Sequence, residues 1–188
     1  MKKIRKTRAG DLEAAIRGIV MSFRHQRIPY MLIGALALPV WGRPRATLDM
    51  DFMILTGEIP TRLAERLAVL GFDLDLEWER LNPFLKGFQS RFRSKTLALD
   101  ILLNRDHHHQ DAFRRRHKKY YRGMYIWFPS AEDLILLKLR AGRQTDFDDV
   151  VGIIERVGKS LDLRYLNRWA RRLGIIDELS YVIDRGRE

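Results

Sequence analysis

Residues 46–55, ATLDMDFMIL, set two carboxylates one position apart inside an otherwise apolar run. In an extended strand, residues i and i+2 point to the same face, roughly 6–7 Å apart. Asp49 and Asp51 therefore share one face, while Met50 and Phe52 pack on the other. Carboxylates this close raise each other's pKa unless a positive charge lies between them. A divalent ion is the usual answer, because Mg²⁺ takes oxygen ligands and keeps positions open for substrate phosphates. The alternative is a pair of solvated acids on an exposed strand, which sits poorly with the neighbours Leu48, Met50, Phe52, Met53 and Ile54.

A second apolar run, TLALDILLN, carries Asp100 at its centre. A lone charge buried there costs several kcal/mol unless it is paired or metal-bound. If the two runs are neighbouring strands, three carboxylates can converge on one or two ions. Such a centre orients an attacking oxygen and stabilises a leaving pyrophosphate. For Asp100 the alternative is a buried salt bridge to one of the many arginines.

The rest of the chain bounds these readings. A length of 188 residues with 46% hydrophobic content suits one domain, or one domain with a helical extension. No apolar stretch approaches the roughly 18 residues that span a bilayer. The start, MKKIRKTRAGDLEAA, is basic without a signal-peptide core, so the expected location is cytoplasmic, with no membrane partner. The absence of cysteine excludes disulfides, thiol catalysis and Cys-type zinc sites. Thirty-five Lys and Arg against 24 Asp and Glu give a formal charge of +11, which favours polyanions or phosphorylated small molecules, although it also simply aids solubility.

Helical spacing predicts a helix over residues 11–27 after an Asp11 cap. YMLIGALALPVWG reads as a short strand entering a Gly/Ala turn and helix, and TRLAERLAVLG as a helix stopped at Gly71. FDLDLEW and FLKGFQSRFRSK read as irregular with a short strand, DAFRRRHKKYY as a helix or basic loop, and GMYIWFP as a strand. SAEDLILLKLRAG is a helix capped by Ser130, followed by helices over DFDDVVGIIERVG and LDLRYLNRWARRLG. The expected fold class is α+β (mixed α/β): a small mixed sheet flanked by helices, with residues 1–129 as the core and 130–188 as a helical region packed on it.

These motifs resemble the polymerase-β-like nucleotidyltransferase superfamily: the turn Gly34-Ala35, thirteen further residues, Asp49-Met50-Asp51, then Asp100 on a later strand. LIGALAL…GRPRATLDMDFMI with a downstream EDLILLKLRAGRQTDFDDV is similar, more narrowly, to the abortive-infection (AbiEii-type) nucleotidyltransferases, some of which are toxins of toxin–antitoxin systems. The resemblance spans roughly residues 28 to 155 and implies a nucleotidyltransferase fold. It also implies Mg²⁺ (or Mn²⁺) as cofactor, an NTP as substrate, a tRNA 3′ end as acceptor and an antitoxin as protein partner. Gly34 and Ala35 would open a helix whose amides hold the triphosphate. Asp49 and Asp51 would bind the ion that arrives with the nucleotide, and Asp100 a second ion and the acceptor hydroxyl. Lys138 would lie near the phosphates, with Asp146 and Asp149 in support. Where the family often has Ser or Gly, this chain has Ala35, so a hydroxyl contact to phosphate is missing while the backbone amides are retained.

Arg43 and Arg45 precede the acidic strand, and Arg45, fixed by Pro44, is the better phosphate ligand of the two. Lys138 has the alternative of a surface lysine, and Asp146, Asp148 and Asp149 that of favouring a helix N-terminus. Four of the five histidines fall in RDHHHQDAFRRRH, but consecutive histidines diverge and make a poor tetrahedral site. Arg114 to Lys119 with Tyr120 and Tyr121 mixes charge with rings able to stack on bases, or is a solvated face. Arg164, Arg168, Arg171 and Arg172 form one basic stripe opposite Leu166, Trp169 and Leu173, suited to an RNA backbone or an acidic partner. Two other readings stay open: a non-catalytic RNA- or protein-binding module with this fold, which Ala35 favours, and a metal-dependent nuclease.

Overall fold

The computed structural model describes residues 9–186. The chain enters as α1 (Ala9–His25) and β1 (Tyr30–Ile33), then a 3-10 turn over Gly34–Ala37 that runs into α2 (Leu38–Trp41). It continues through β2 (Asp49–Ile54), α3 (Thr61–Val69), β3 (Asp73–Leu74), α4 (Leu76–Leu81), β4 (Gln89–Arg93), β5 (Ala98–Leu103) and α5 (His107–Arg115). The hairpin β6 (His117–Tyr121) and β7 (Met124–Phe128) leads to α6 (Ala131–Ala141), α7 (Gln144–Val157), α8 (Leu163–Leu173) and α9 (Ile176–Arg185). Among the described residues no helix is long and apolar enough to cross a membrane.

Five strands form one mixed sheet in the order β1-β2-β5-β4-β3. β2 and β5 are parallel, and the other pairs are antiparallel. Strand alternation then sorts side chains between two faces. One face carries Tyr30, Leu32, Met50, Phe52, Ile54, Leu99 and Ile101 into the main core, against Ile16, Ile19 and Phe23 of α1 and Leu63 and Leu67 of α3. Phe23 stacks on Tyr30 at 5.1 Å and meets Phe52 edge-on at 5.3 Å. Burying one such ring contributes roughly 1.5–3 kcal/mol. The opposite face carries Met31, Ile33 and Met53 under Ala112 and Phe113 of α5. Parity puts Asp49, Asp51 and Asp100 on that second face, toward the end of the sheet away from α5.

α6 is buried on nearly every side, from Ala131 to Leu139. Ser130 caps it by accepting from the Asp133 amide (3.1 Å) and donates to the Asp133 carboxylate (2.7 Å). Asp133 also accepts from Tyr165 of α8 (2.6 Å) and lies 3.2 Å from His108 Nε2. These bonds hold the Asp133 carboxyl below the usual range against the opposing effect of burial, which is the largest influence on it. α6 therefore ties α5, α8 and the sheet together.

Several local expectations change. The first helix begins before Asp11, which sits in its first turn instead of capping it. FDLDLEW and FLKGFQSRFRSK are ordered as β3, α4 and β4, because Asp75 caps α4 through the Trp78 amide and its carboxylate accepts from Arg93 of β4 (2.7 Å). DAFRRRHKKYY is split: its first part ends α5, while HKKYY pairs with β7 across a two-residue turn at Arg122-Gly123, both at positive φ (46° and 80°). α9 went unread, and its Leu179 and Val182 complete the core. Gly71 does stop α3, at φ 82°.

Candidate active site

The sheet register assembles one row of cross-strand neighbours. Ile33 of β1 lies opposite Asp51 of β2, Asp51 beside Asp100 of β5, and Asp100 opposite Arg91 of β4. Neighbouring strands are about 4.8 Å apart, so Asp51 and Asp100 stand side by side. Asp49, two residues before Asp51, is exposed at the end of the same face. The row floors a cleft of about 350 Å³ whose walls include Gly34, Trp78, Leu137, Lys138 and Arg143. A larger groove of about 960 Å³ runs along the end of α7, and its one carboxylate, Glu155, is paired with Arg43 at 2.5 Å. Convergent acids are found in the smaller cleft.

Asp51 is the electrostatically stressed member. Burial first, then the neighbouring charges of Asp100 and Asp49, push its carboxyl up to about 7, against partial relief from Arg143 and Lys138. Among the described residues, no hydrogen-bond donor or cationic group is within bonding distance of the carboxylate of Asp49 or Asp51. Two carboxylates without counter-ions, beside a third, form a hard-oxygen donor set that fits a divalent ion of the Mg²⁺ class.

Gly34 opens the 3-10 turn at φ 65°, and a Cβ there would lie 2.1 Å from Asp51 Oδ2. Its backbone thus presses directly against the Asp51 carboxylate, and Ile33, which precedes the turn, supplies no side-chain cap to the first amides. Gly34→Ala is expected to cost about 1–3 kcal/mol from the left-handed backbone alone, and to displace Asp51. A lower melting temperature with a native far-UV spectrum is the expected result. Ala35, by contrast, has its side chain in the core and does not line the cleft.

Asp100 is buried and already paired. Arg91 grips it with both arms, Nε to Oδ1 at 2.7 Å and Nη2 to Oδ2 at 2.5 Å. The same guanidinium lies over the Trp78 ring at 5.2 Å, and Ser90 donates to Glu79 at 3.0 Å, so α4 is fastened to β4 as one rim of the cleft. The buried-salt-bridge alternative for Asp100 is thus realised. Arg91, Trp78 and Arg143 were not singled out from the sequence. The alternation Arg91-Phe92-Arg93, with an apolar residue between two cations, was the available signal for a strand with a charged face.

On the opposite wall, Lys138 is buried (4% exposed) and donates to Asp146 (3.2 Å) and Asp149 (2.6 Å), which excludes the surface-lysine alternative. Arg143 reaches Asp146 at 2.7 Å, and Arg45 reaches both oxygens of Asp149 at 3.0 and 3.1 Å. Lys138, Asp146 and Arg143 line the cleft, whereas Arg45 and Asp149 stand behind it. This side is a closed charge network, in contrast to the unpaired acids of β2.

The α8 stripe lies elsewhere. Arg164, Arg168, Arg171 and Arg172 are all exposed, with Arg168 over Tyr165 (5.3 Å) and Arg172 over Trp169 (5.2 Å), and none lines the cleft. Asp106, His108 and His109 offer ligand atoms within 4.8 Å of one another. Arg140 already occupies that group, 2.9 Å from Asp106 and 3.1 Å from His109. Burial, with Arg140 adding to it, pushes His109 down to about 4 despite the opposing pull of Asp106.

No protein-family model matches the chain, and a search of curated proteins returns no match. Solved structures do share its fold. The solution structure of the antibiotic-resistance factor ANT(2'')-Ia superposes with a TM-score of 0.63 at 11% identity, covering 93% of this chain and 99% of that one. A crystal structure of ANT(2")-Ia with adenylyl-2"-tobramycin gives 0.60 at 13% identity, covering 86% and 96%. The lincosamide antibiotic adenylyltransferase LnuA, bound to lincomycin, gives 0.53 at 17% identity, covering 75% and 95%. The architecture is therefore the nucleotidyltransferase fold, an α+β domain with a five-stranded mixed sheet.

Proposed function

We propose that the protein is a Mg²⁺- or Mn²⁺-dependent nucleotidyltransferase that moves an NMP from an NTP to an acceptor hydroxyl and releases pyrophosphate. Residues 1–129 would form the catalytic core and 130–188 the helical region that closes the cleft. The observation that carries the reading is the row Asp51–Asp100 with Asp49 beside it: convergent carboxylates, two without counter-ions, pressed against the Gly34 turn. A binding-only module has no use for a half-buried acid pushed up to about 7 by burial and then by two neighbouring carboxylates.

Asp49 and Asp51 would hold the ion that comes with the nucleotide and Asp100 a second, which when bound supply neutralisation of the phosphates and a more acidic acceptor hydroxyl. The amides of the Gly34-Ala35 turn suit the triphosphate. Lys138 and Arg143 add positive charge at the wall, oriented by Asp146 and Asp149. Arg45 orients Asp149 from behind. The acceptor oxygen attacks the α-phosphorus, the bond from that phosphorus to the bridging oxygen breaks, and pyrophosphate leaves. The acceptor's proton would pass to the Asp100 carboxylate, the role that the sequence resemblance gives this residue.

For the acceptor we favour a tRNA 3′ hydroxyl, on the strength of the +11 charge and the exposed arginines of α8. The known neighbours that adenylylate antibiotics make a small hydroxylated molecule the second reading. An AbiEii-type toxin role and an antitoxin partner rest on the sequence resemblance alone.

The test is incubation with each α-³²P-labelled NTP, Mg²⁺ and total tRNA, with small polyols in parallel, beside the variant Asp49→Ala/Asp51→Ala. Label on RNA with the wild-type protein only is the expected result. Label on a small acceptor only would move the acceptor, and no label with no metal-dependent NTP binding would overturn the enzyme reading.

A further inference from the structure

The three carboxylates of the row are not equivalent. Asp51 lines the cleft and Asp49 stands exposed beside it on the same face, both without counter-ions, whereas both oxygens of Asp100 are taken by one guanidinium at 2.5 and 2.7 Å. A carboxylate gripped in this way presents neither oxygen readily to an ion. The pairing is built into the sheet, since Arg91 is the register partner of Asp100, which fixes their backbones side by side and leaves the arginine side chain free to turn. Arg91 is also placed to leave. Its side chain is 22% exposed, and the Trp78 face lies 5.2 Å from its central carbon, on an α4 held in place by Arg93–Asp75 and Ser90–Glu79.

Resting on the metal-site reading above, we infer that Arg91 is a latch on Asp100: it withholds the third carboxylate until ion and nucleotide are in place and then releases it to the ion site, its guanidinium keeping only the Trp78 contact that it already makes. Binding is thereby ordered. Ion and nucleotide settle first on the open pair Asp49 and Asp51, and Asp100 joins last. Until it does, the group that would take a proton from water is engaged, which protects a bound NTP from hydrolysis. Arg91 is a positioning residue here, since it acts through Asp100. A permanent structural counter-ion would behave oppositely, because its removal would loosen Asp100 and weaken the ion site.

Mn²⁺ titration followed by electron paramagnetic resonance, with a non-hydrolysable NTP analogue present, separates the two without any turnover. Arg91→Gln should bind Mn²⁺ tighter by on the order of ten-fold, the worth of a charge-assisted pair. Arg91→Lys, which keeps the charge and loses the fork, should show a smaller gain. In an Asp100→Asn background, Arg91→Gln should change nothing. Equal or weaker Mn²⁺ binding by folded Arg91→Gln overturns the latch. Should that variant not fold, Arg91→Lys decides in the same way. Mn²⁺ binding that is lost in Asp49→Ala/Asp51→Ala but indifferent to Arg91 overturns the latch and leaves the metal site standing. No Mn²⁺ binding by the wild type overturns both.

Discussion

Asp51→Asn is expected to abolish the proposed nucleotidyl transfer, by about a thousand-fold or more given the size of metal-ligand contributions, while making the protein more stable above neutral pH when no divalent ion is added. The second half follows from linkage. In the fold the Asp51 carboxyl is raised to about 7 from an ordinary 3.8, first by burial and then by Asp100 and Asp49. The folded state therefore holds this proton more strongly than the unfolded chain. The cost of ionising Asp51 is absent below about pH 3.8, grows between 3.8 and 7, and is complete above 7. Asparagine never ionises, so the gain should be of order 2–4 kcal/mol at pH 8, or roughly 5–10 °C in Tm, and vanish toward pH 4. Melting curves of both proteins across that range measure it. A variant less stable than wild type at pH 8 would mean that Asp51 has a positive partner in solution. Saturating Mn²⁺ with nucleotide should raise the Tm of the wild type and leave the variant nearly unmoved.

The second large effect is at Lys138. Replacement by Met preserves volume but leaves Asp146 and Asp149 facing each other, with only Arg143 and Arg45 as counter-ions. Breaking a buried ion network from one side costs about 3–5 kcal/mol, which urea unfolding would register as a lower midpoint at unchanged slope. Adding Asp149→Asn to Lys138→Met should recover part of the loss, because it removes one of the stranded charges. If Lys138→Met unfolds at the wild-type midpoint, the network is ornamental and the lysine's reason for being buried lies with the nucleotide.

Much of the fold was legible because its strands carry period-two signals that buried neighbours enforce. Met50, Phe52 and Ile54 had to face a core, and that parity alone put Asp49 and Asp51 on the other side. The adjacency of Asp51 and Asp100 was an assumption that the parallel pairing of β2 and β5 now meets. What stayed hidden was held by single polar contacts. β3 and α4 are short and exposed, and their order depends on Asp75 meeting the Trp78 amide and Arg93. Nothing in the spacing of FLKGFQSRFRSK says which of 35 Lys and Arg side chains will reach Asp100. Lys138 was legible as a helix position but not as a buried one, because much of the cover on α6 comes from α7 and α8, which lie later in the chain. The α8 arginines were placed correctly on an exposed stripe, but the sequence carried no measure of where that stripe stands relative to the cleft.

The central helix has one more implication. Asp133 and Lys138 are five residues apart on α6, about 7.5 Å along its axis, and each anchors a separate polar cluster. The two clusters thus share one buried helix as their common support. Disturbance at the Ser130 end should therefore reach the Lys138–Asp149 pair before it surfaces as unfolding.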